Sequence, residues 1–195
     1  MSPSHATSDT TRKGSENDMS KTSKVTIVSL VLLVAGWASL QQAAAEVPEK
    51  LKPGANESLA MIAQAKGVQI YECRASKDRA GEYEWTFVAP EADLFDARGT
   101  RIGRHYAGPH WESTDGSKIV GTLREHADAP AAGAIPWLLL AAKSDGPDGS
   151  FSRFTSVQRL NTVGGAAPKA GCSQAAVGTR ARVNYTADYY FFIAS

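Results

Sequence analysis

The sequence predicts an all-β fold, an antiparallel β-sandwich or flattened barrel with a short N-terminal helix. Three observations carry that expectation. Runs with two-residue alternation recur at close spacing, most cleanly residues 82–89 (EYEWTFVA) and 182–193 (RVNYTADYYFFI). Gly, Pro and Asp-Gly turn signals separate these runs. Strand-like runs do not alternate with helical ones, which disfavours a doubly wound α/β fold.

Taken in chain order, residues 46–56 contain Pro48 and Pro53 and predict an extended lead-in. Asn56 is placed to cap a short helix over residues 57–66, with Leu59, Ile62 and Ala63 on one face and Gly67 at the C-cap position. Residues 68–75 (VQIYECRA) are rich in β-formers. In residues 82–89, Tyr83, Trp85, Phe87 and Ala89 share a face, and Pro90 is expected to stop that strand. Residues 92–96 form a short element, and Arg98-Gly99 turns into a strand over 100–106. Gly108-Pro109 breaks it, 110–113 resumes, and Asp115-Gly116 predicts a hairpin turn into 118–124. Residues 135–142 (IPWLLLAA) are apolar on both faces and predict a buried central element. Residues 151–160 are another strand, 161–171 a loop, and 182–193 the last strand, with Val183, Tyr185, Ala187, Tyr189, Phe191 and Ile193 on one face. Seven to nine short strands with no internal repeat fit a sandwich or barrel.

The N-terminal segment predicts export. Met19 opens a short basic stretch, residues 25–40 carry no charge, and Ala43-Ala44-Ala45 precedes Glu46. This is the n-region, h-region and A-x-A pattern of a secretory signal peptide. The expected organisation is therefore 1–45 as N-terminal extension plus signal peptide, with Met19 as an alternative start, and 46–195 as a single all-β domain. The rival, an uncleaved anchor, would have to span with an apolar run shorter than the roughly 20 residues a helix needs. No Cys follows the run to take a lipid anchor. The expected location is periplasmic or secreted, with no membrane span after cleavage. In an oxidising compartment Cys73 and Cys172 are expected to pair, closing a loop of about 100 residues. No C-x-x-C redox motif is present.

Charge excludes some functions. The chain has 21 Lys+Arg against 20 Asp+Glu, a formal net charge of +1, and residues 46–195 balance at 17 of each. That is no footprint for nucleic acid. Neither G-x-G-x-x-G nor a P-loop nor G-x-S-x-G occurs, so nucleotide and serine-hydrolase chemistry have no motif to rest on. No cofactor is expected.

The densest polar and aromatic stretch runs from Arg104 to Glu112 (RHYAGPHWE). On a strand His110 and Glu112 share a face while Trp111 takes the other. His105, Tyr106, His110 and Glu112, with Asp115 at the rim, are the expected ligand-binding residues, in polar recognition and with no catalytic residue assigned. A metal reading would use His105, His110 and Glu112 with Asp115 in reserve, but no H-E-x-x-H supports it and no metal is assigned. Farther on, Arg153, Arg159, Arg180 and Arg182 lie among Phe151, Phe154, Tyr189 and Tyr190. They fit either a groove for an acidic ligand or a sugar, or core aromatics with solvated arginines. Trp85, Trp111 and Trp137 are expected in the core.

An ordered series of strings carries a family resemblance: GVQIYEC (67–73), WTF (85–87), PEA (90–92), HYAGPHWE (105–112), DGS (115–117), IPWLLL (135–140), VQRLNT (157–162), Gly164-Gly165, Cys172, and 185–191. Over about residues 47–193 the chain resembles the domain of unknown function 3455 family, often found in exported bacterial and fungal proteins. The resemblance implies one exported domain and no established activity. Position 110 in that pattern is usually a small hydroxyl residue, so His110 departs from it, which further weakens a metal site.

The expected function is a non-catalytic binding module for a surface polymer such as a carbohydrate or other envelope component, a small ligand, or a partner protein. The alternatives are a metal-dependent or carboxylate-based hydrolase using the His105–Glu112 region, and a structural envelope protein.

Overall fold

Alternating runs bury one face only if their sheet packs on something, and here the sheet closes on itself. The computed structural model describes residues 45–195. Within them β1 (Glu57–Ala75), β2 (Tyr83–Phe95), β3 (Arg101–Tyr106), β4 (His110–Ser113), β5 (Lys118–Ala127), β6 (Trp137–Ser144), β7 (Ser156–Gly164) and β8 (Arg180–Ala194) form one closed antiparallel barrel in chain order. β1 is paired with β2 on one side and β8 on the other, so no sheet edge is left at the seam. Of the two architectures the sequence allowed, the chain adopts the barrel. The signal-peptide segment lies outside the described residues.

The expected helix over 57–66 is instead the first half of β1. Leu59, Ile62 and Ala63 match a helical stripe, but Ala63 and Ala65 also alternate with exposed Gln64 and Lys66. The ladder with β8 spans nearly the whole segment, and its hydrogen bonds together with interior burial override a weak local preference. Gly67 is no C-cap. It lies where β1 and β2 approach so closely that a β-carbon would run into the Glu91 carbonyl oxygen and Ala92. The helical element among the described residues that comes nearest to the expectation is a 3₁₀ turn at Glu49–Leu51.

Pro90 does not stop its strand, and β2 runs through it to Phe95. Its pairing with β3 begins only at Ala92, so in the Pro90 region a missing N–H costs no ladder bond on that side. Register places Ile70 opposite Ala89 and Tyr71 opposite Phe87, so Val88 is an extra residue, a β-bulge. The bulge changes which residues of β2 share a face with Tyr71: Phe87 before it, Pro90, Ala92 and Leu94 after it.

Inside the barrel Ala63, Ala65, Leu94, Trp111, Ile119, Leu140, Val157, Tyr189 and Phe191 form one buried cluster. Phe151 and Phe154, expected in a strand, lie in the β6–β7 loop and pack on Phe191 with ring centroids 5.5 and 4.9 Å away, filling that end. Asp115 holds the same end together. Its carboxylate accepts bonds from the backbone N–H and hydroxyl of both Ser117 and Ser150, tying the β4–β5 turn to the β6–β7 loop.

β6 is apolar on both faces because it is covered on both. Leu140 faces the interior cluster, while Trp137 and Leu139 pack with Leu160 against Leu51 of the 3₁₀ turn. Gln158 donates its side-chain amide to the Leu51 carbonyl and fixes that segment on the barrel wall. At the other end Cys73 and Cys172 form a disulfide between β1 and the β7–β8 loop, with Cα atoms 5.3 Å apart.

Candidate functional site

The β3–β4 hairpin carries the polar-aromatic stretch, and register decides what each residue can do. His105 pairs with Trp111 and points inward; Tyr106 pairs with His110, and Arg104 with Glu112, on the outer face. The five expected residues therefore divide between two faces of the wall and the far end of β4. His105 cannot share a metal ion with His110 and Glu112, because the sheet lies between them. Among the described residues no group of three His, Cys, Asp or Glu side chains converges to hold a metal.

On the outer face the side chains satisfy one another. The Glu112 carboxylate accepts the Tyr106 hydroxyl at 2.7 Å and Arg104 at 2.9 Å, and Arg104 lies over the Tyr106 ring. The Tyr106 hydroxyl bond, then Arg104, holds the Glu112 carboxyl below its ordinary range. His110 stacks on Tyr106, and its Nε2 is 3.0 Å from the Asp145 carboxylate, which also faces Lys118. Beside this network a shallow groove of ≈ 600 Å³ runs past Lys66, Arg101, Arg104 and Arg182, but Arg101 and Arg182 are already paired with Asp93 and Glu91. Such exposed, mutually paired charges hold a hairpin in shape and add little stability. Asp115 is likewise engaged by Ser117 and Ser150, whose bonds depress its pKa, at the end of the barrel away from His105.

The inner face differs. His105 is 3 % exposed and stacks on Trp111 at 4.5 Å between ring centroids, with Tyr189 edge-on at 5.1 Å. Its Nδ1 donates to the His110 carbonyl at 2.8 Å, which leaves Nε2 as the acceptor nitrogen of a neutral ring. Burial pushes its pKa down to about 3, and the nearby Arg159 charge acts in the same direction.

A notch in the wall leads to this face. The β3–β4 hairpin is short, pairing with β2 only from Ala92 onward and with β5 only as far as Val120. Gly121 still donates to the Pro109 carbonyl of the hairpin turn at 2.9 Å, but residues 83–91 of β2 and 122–127 of β5 continue past the hairpin without pairing to it. A pocket of ≈ 240 Å³ lies there, lined by Phe87, Val88 and Pro90 of β2, Gly108-Pro109 of the hairpin turn, Leu123, Leu138 and Leu140, with His105, Trp111, Tyr189 and Arg159 inside. Phe87 and Leu123 are 50 % and 54 % exposed, so its rim is apolar. Gly121 keeps room for Trp111, since a β-carbon there would lie 2.7 Å from the indole ring.

Arg159 brings the cation. It pairs across β6 with Leu138 and across β8 with Tyr189, both pocket residues, so it belongs to the interior row of β7. Its Nε and one terminal nitrogen donate to the Pro136 carbonyl at 3.1 and 2.9 Å. Among the described residues no carboxylate lies within ion-pair distance of it. Of the four arginines expected together, Arg153, Arg180 and Arg182 are exposed or on the outer surface, and Arg180 and Arg182 are bound to Glu72 and Glu91. The core-aromatics expectation thus holds for Phe151, Phe154 and Tyr189, while Arg159 escapes the solvated alternative. Phe87, Leu123, Leu138 and Leu140 were not singled out as a site, because apolar residues at a pocket and in a core follow the same pattern. The available signals were Pro90 and Gly108-Pro109, which mark where pairing is interrupted.

No characterised protein and no solved structure shows a significant match to the chain. A match to the family described as protein of unknown function DUF3455 spans residues 53–193, all eight strands and both cysteines but for the last residue of β8. The ordered strings of the sequence, from Gly67 to Phe191, lie within that match, and the chain belongs to the DUF3455 family.

Proposed function

We propose that this domain is an exported, non-catalytic binding module that takes a small, largely apolar ligand through the notch into the barrel. The observation that carries this is the ≈ 240 Å³ pocket, which is walled by Leu138, Leu140, Pro90 and Trp111 and rimmed by exposed Phe87 and Leu123. Ligand sites of this kind are concave, mostly apolar, and hold few polar groups. A cavity of about 150 Å³ suffices for benzene, so this one suits a body of roughly ten non-hydrogen atoms.

Binding is favoured over hydrolysis by the groups that line the pocket. A histidine base needs a nucleophile or an acid partner within reach. His105 has its Nδ1 committed to a backbone carbonyl, and its ring faces Trp111 and Tyr189. Burial holds the Tyr189 hydroxyl protonated, and the lining side chains include no carboxylate. Export is supported by the signal-peptide pattern in residues 1–45 and by the Cys73–Cys172 bridge, which suits an oxidising compartment.

The test is a methyl NMR titration with cyclohexanol and ethylbenzene. The expected result is saturable shifts confined to Val88, Leu123, Leu138 and Leu140, abolished in a Leu138→Trp variant that fills the pocket. Shifts that stay absent at millimolar probe, or that persist in the filled variant, would overturn the assignment.

A further inference from the structure

We propose that the ligand of this pocket is a small monocarboxylic acid with an apolar body of about eight carbons, its carboxylate held by Arg159. This rests on the pocket reading above and adds the chemistry of the ligand to it. The inference comes from an imbalance of charge inside the barrel. A guanidinium taken partly out of water is costly unless a carboxylate or several acceptors compensate it. Arg159 is half-buried on the interior row, and the groups beside its guanidinium, the Pro136 carbonyl to which it donates and the Tyr189 hydroxyl, carry no charge. A guanidinium has five N–H donors, so two bonds to Pro136 leave three.

The groups around it confirm that its charge is not neutralised locally. The Arg159 cation bears on His105, Tyr71, Tyr185 and Tyr189, the titratable side chains of the inner face, and none of these is an anion near neutral pH. Both residues across the strands from it, Leu138 and Tyr189, line the pocket. A ligand seated against Leu138, Leu140 and Trp111 therefore has one complementary position for an acidic group. Arginine recognises a carboxylate by two parallel N–H bonds, and in a site of reduced solvation such charge-assisted bonds are short and strong.

The remaining features choose the rest of the ligand. The walls offer leucine, proline and aromatic surface and no acid, so a second charge or a sugar's row of hydroxyls would go unmatched. Neutral His105 offers an acceptor and no positive charge, so a dianion gains nothing over a monoanion. The volume sets the size: phenylacetate and octanoate each have ten non-hydrogen atoms, near the roughly ten estimated for a cavity of this size.

The experiment is isothermal titration of the oxidised domain with phenylacetate and octanoate, each against its primary amide. The amides have the same shape and no charge. Acids are expected to bind at least tenfold tighter than amides at pH 7.5, and Arg159→Gln should bring the two to equal affinity. Arg159→Lys should keep part of the preference, because it keeps the charge and loses the fork. Equal affinity of acid and amide for the wild-type protein would overturn the inference and leave the apolar pocket standing. Absence of binding by both would overturn the pocket reading itself. If Arg159→Gln does not fold, the Lys variant and a salt titration replace it: acid affinity that is unchanged by Arg159→Lys and by 0.5 M salt overturns the role of Arg159.

Discussion

His105 should make this barrel sensitive to mild acid, and the size of the effect follows from its surroundings. The ring is enclosed between Trp111 and Tyr189, and its pKa falls from 6.5 to about 3 on folding, chiefly through burial. The unfolded chain therefore binds a proton between those values that the folded chain does not. Stability from this group is fully present above pH 6.5 and is lost as pH falls toward 3. At pH 4.5, two units below the unfolded-state value, the loss relative to pH 8 is about 3 kcal/mol, at 1.36 kcal/mol per unit. His105→Phe keeps an aromatic ring against Trp111 but leaves the His110 carbonyl without its donor. That variant should be less stable at pH 8 by about 1–3 kcal/mol. Between pH 8 and 4.5, however, it should lose about 3 kcal/mol less than the wild type. Urea unfolding of both proteins at the two pH values measures the four quantities needed. Carboxylates such as Glu57 and Glu112, whose pKa values are lowered, cancel in the difference because both proteins carry them. Equal acid losses in the two proteins, or a His105 ring that titrates above pH 5 by NMR, would refute the reasoning.

Two further outcomes test the frame around the pocket. Replacing Cys73 and Cys172 by Ser opens a link between residues 99 apart and should cost up to about 4–5 kcal/mol in the chain-entropy model, read as a fall in the urea midpoint relative to the oxidised wild type; an unchanged midpoint would contradict it. Asp115→Asn weakens the tie between the β4–β5 turn and the β6–β7 loop, so it should lower Tm at pH 7, and the gap to the wild type should close as pH drops below the ordinary aspartate value of 3.8, since a depressed carboxylate pKa stabilises only above that range. A gap as large at pH 2 as at pH 7 would place the effect in packing and not in charge.

The fold was legible where one face of a strand is buried and the other is wet. Tyr185, Ala187, Tyr189 and Phe191 read as one face and line the interior, and the two-faced apolarity of 135–142 reads as burial on both sides. It was misread where a long-range partner decides the outcome. Residues 57–66 look helical alone and become a strand because β8 is 120 or more residues away in sequence and supplies the ladder. Pro90 looks like a stop, yet β3 begins pairing only at Ala92. Neither fact can be seen within a local window.

The site was half legible for a related reason. Polar density picked out the β3–β4 hairpin, and the hairpin does border the pocket, but most of that density is spent on itself: Glu112 on Tyr106 and Arg104, His110 on Asp145. Of the five expected residues, His105 alone lines the pocket, because its strand parity turns it inward beside Trp111. What makes a site here is the shortness of the hairpin. Six residues in β3 and four in β4 stand between strands of thirteen and ten, and the difference in length opens the wall. A meander of equal strands with the same residues would place Leu138, Leu140 and Trp111 in a sealed core, and Arg159 could not be solvated there at all. The opening and the cation without a carboxylate partner are thus linked in the fold, since the cation is tolerable there only because the opening is present.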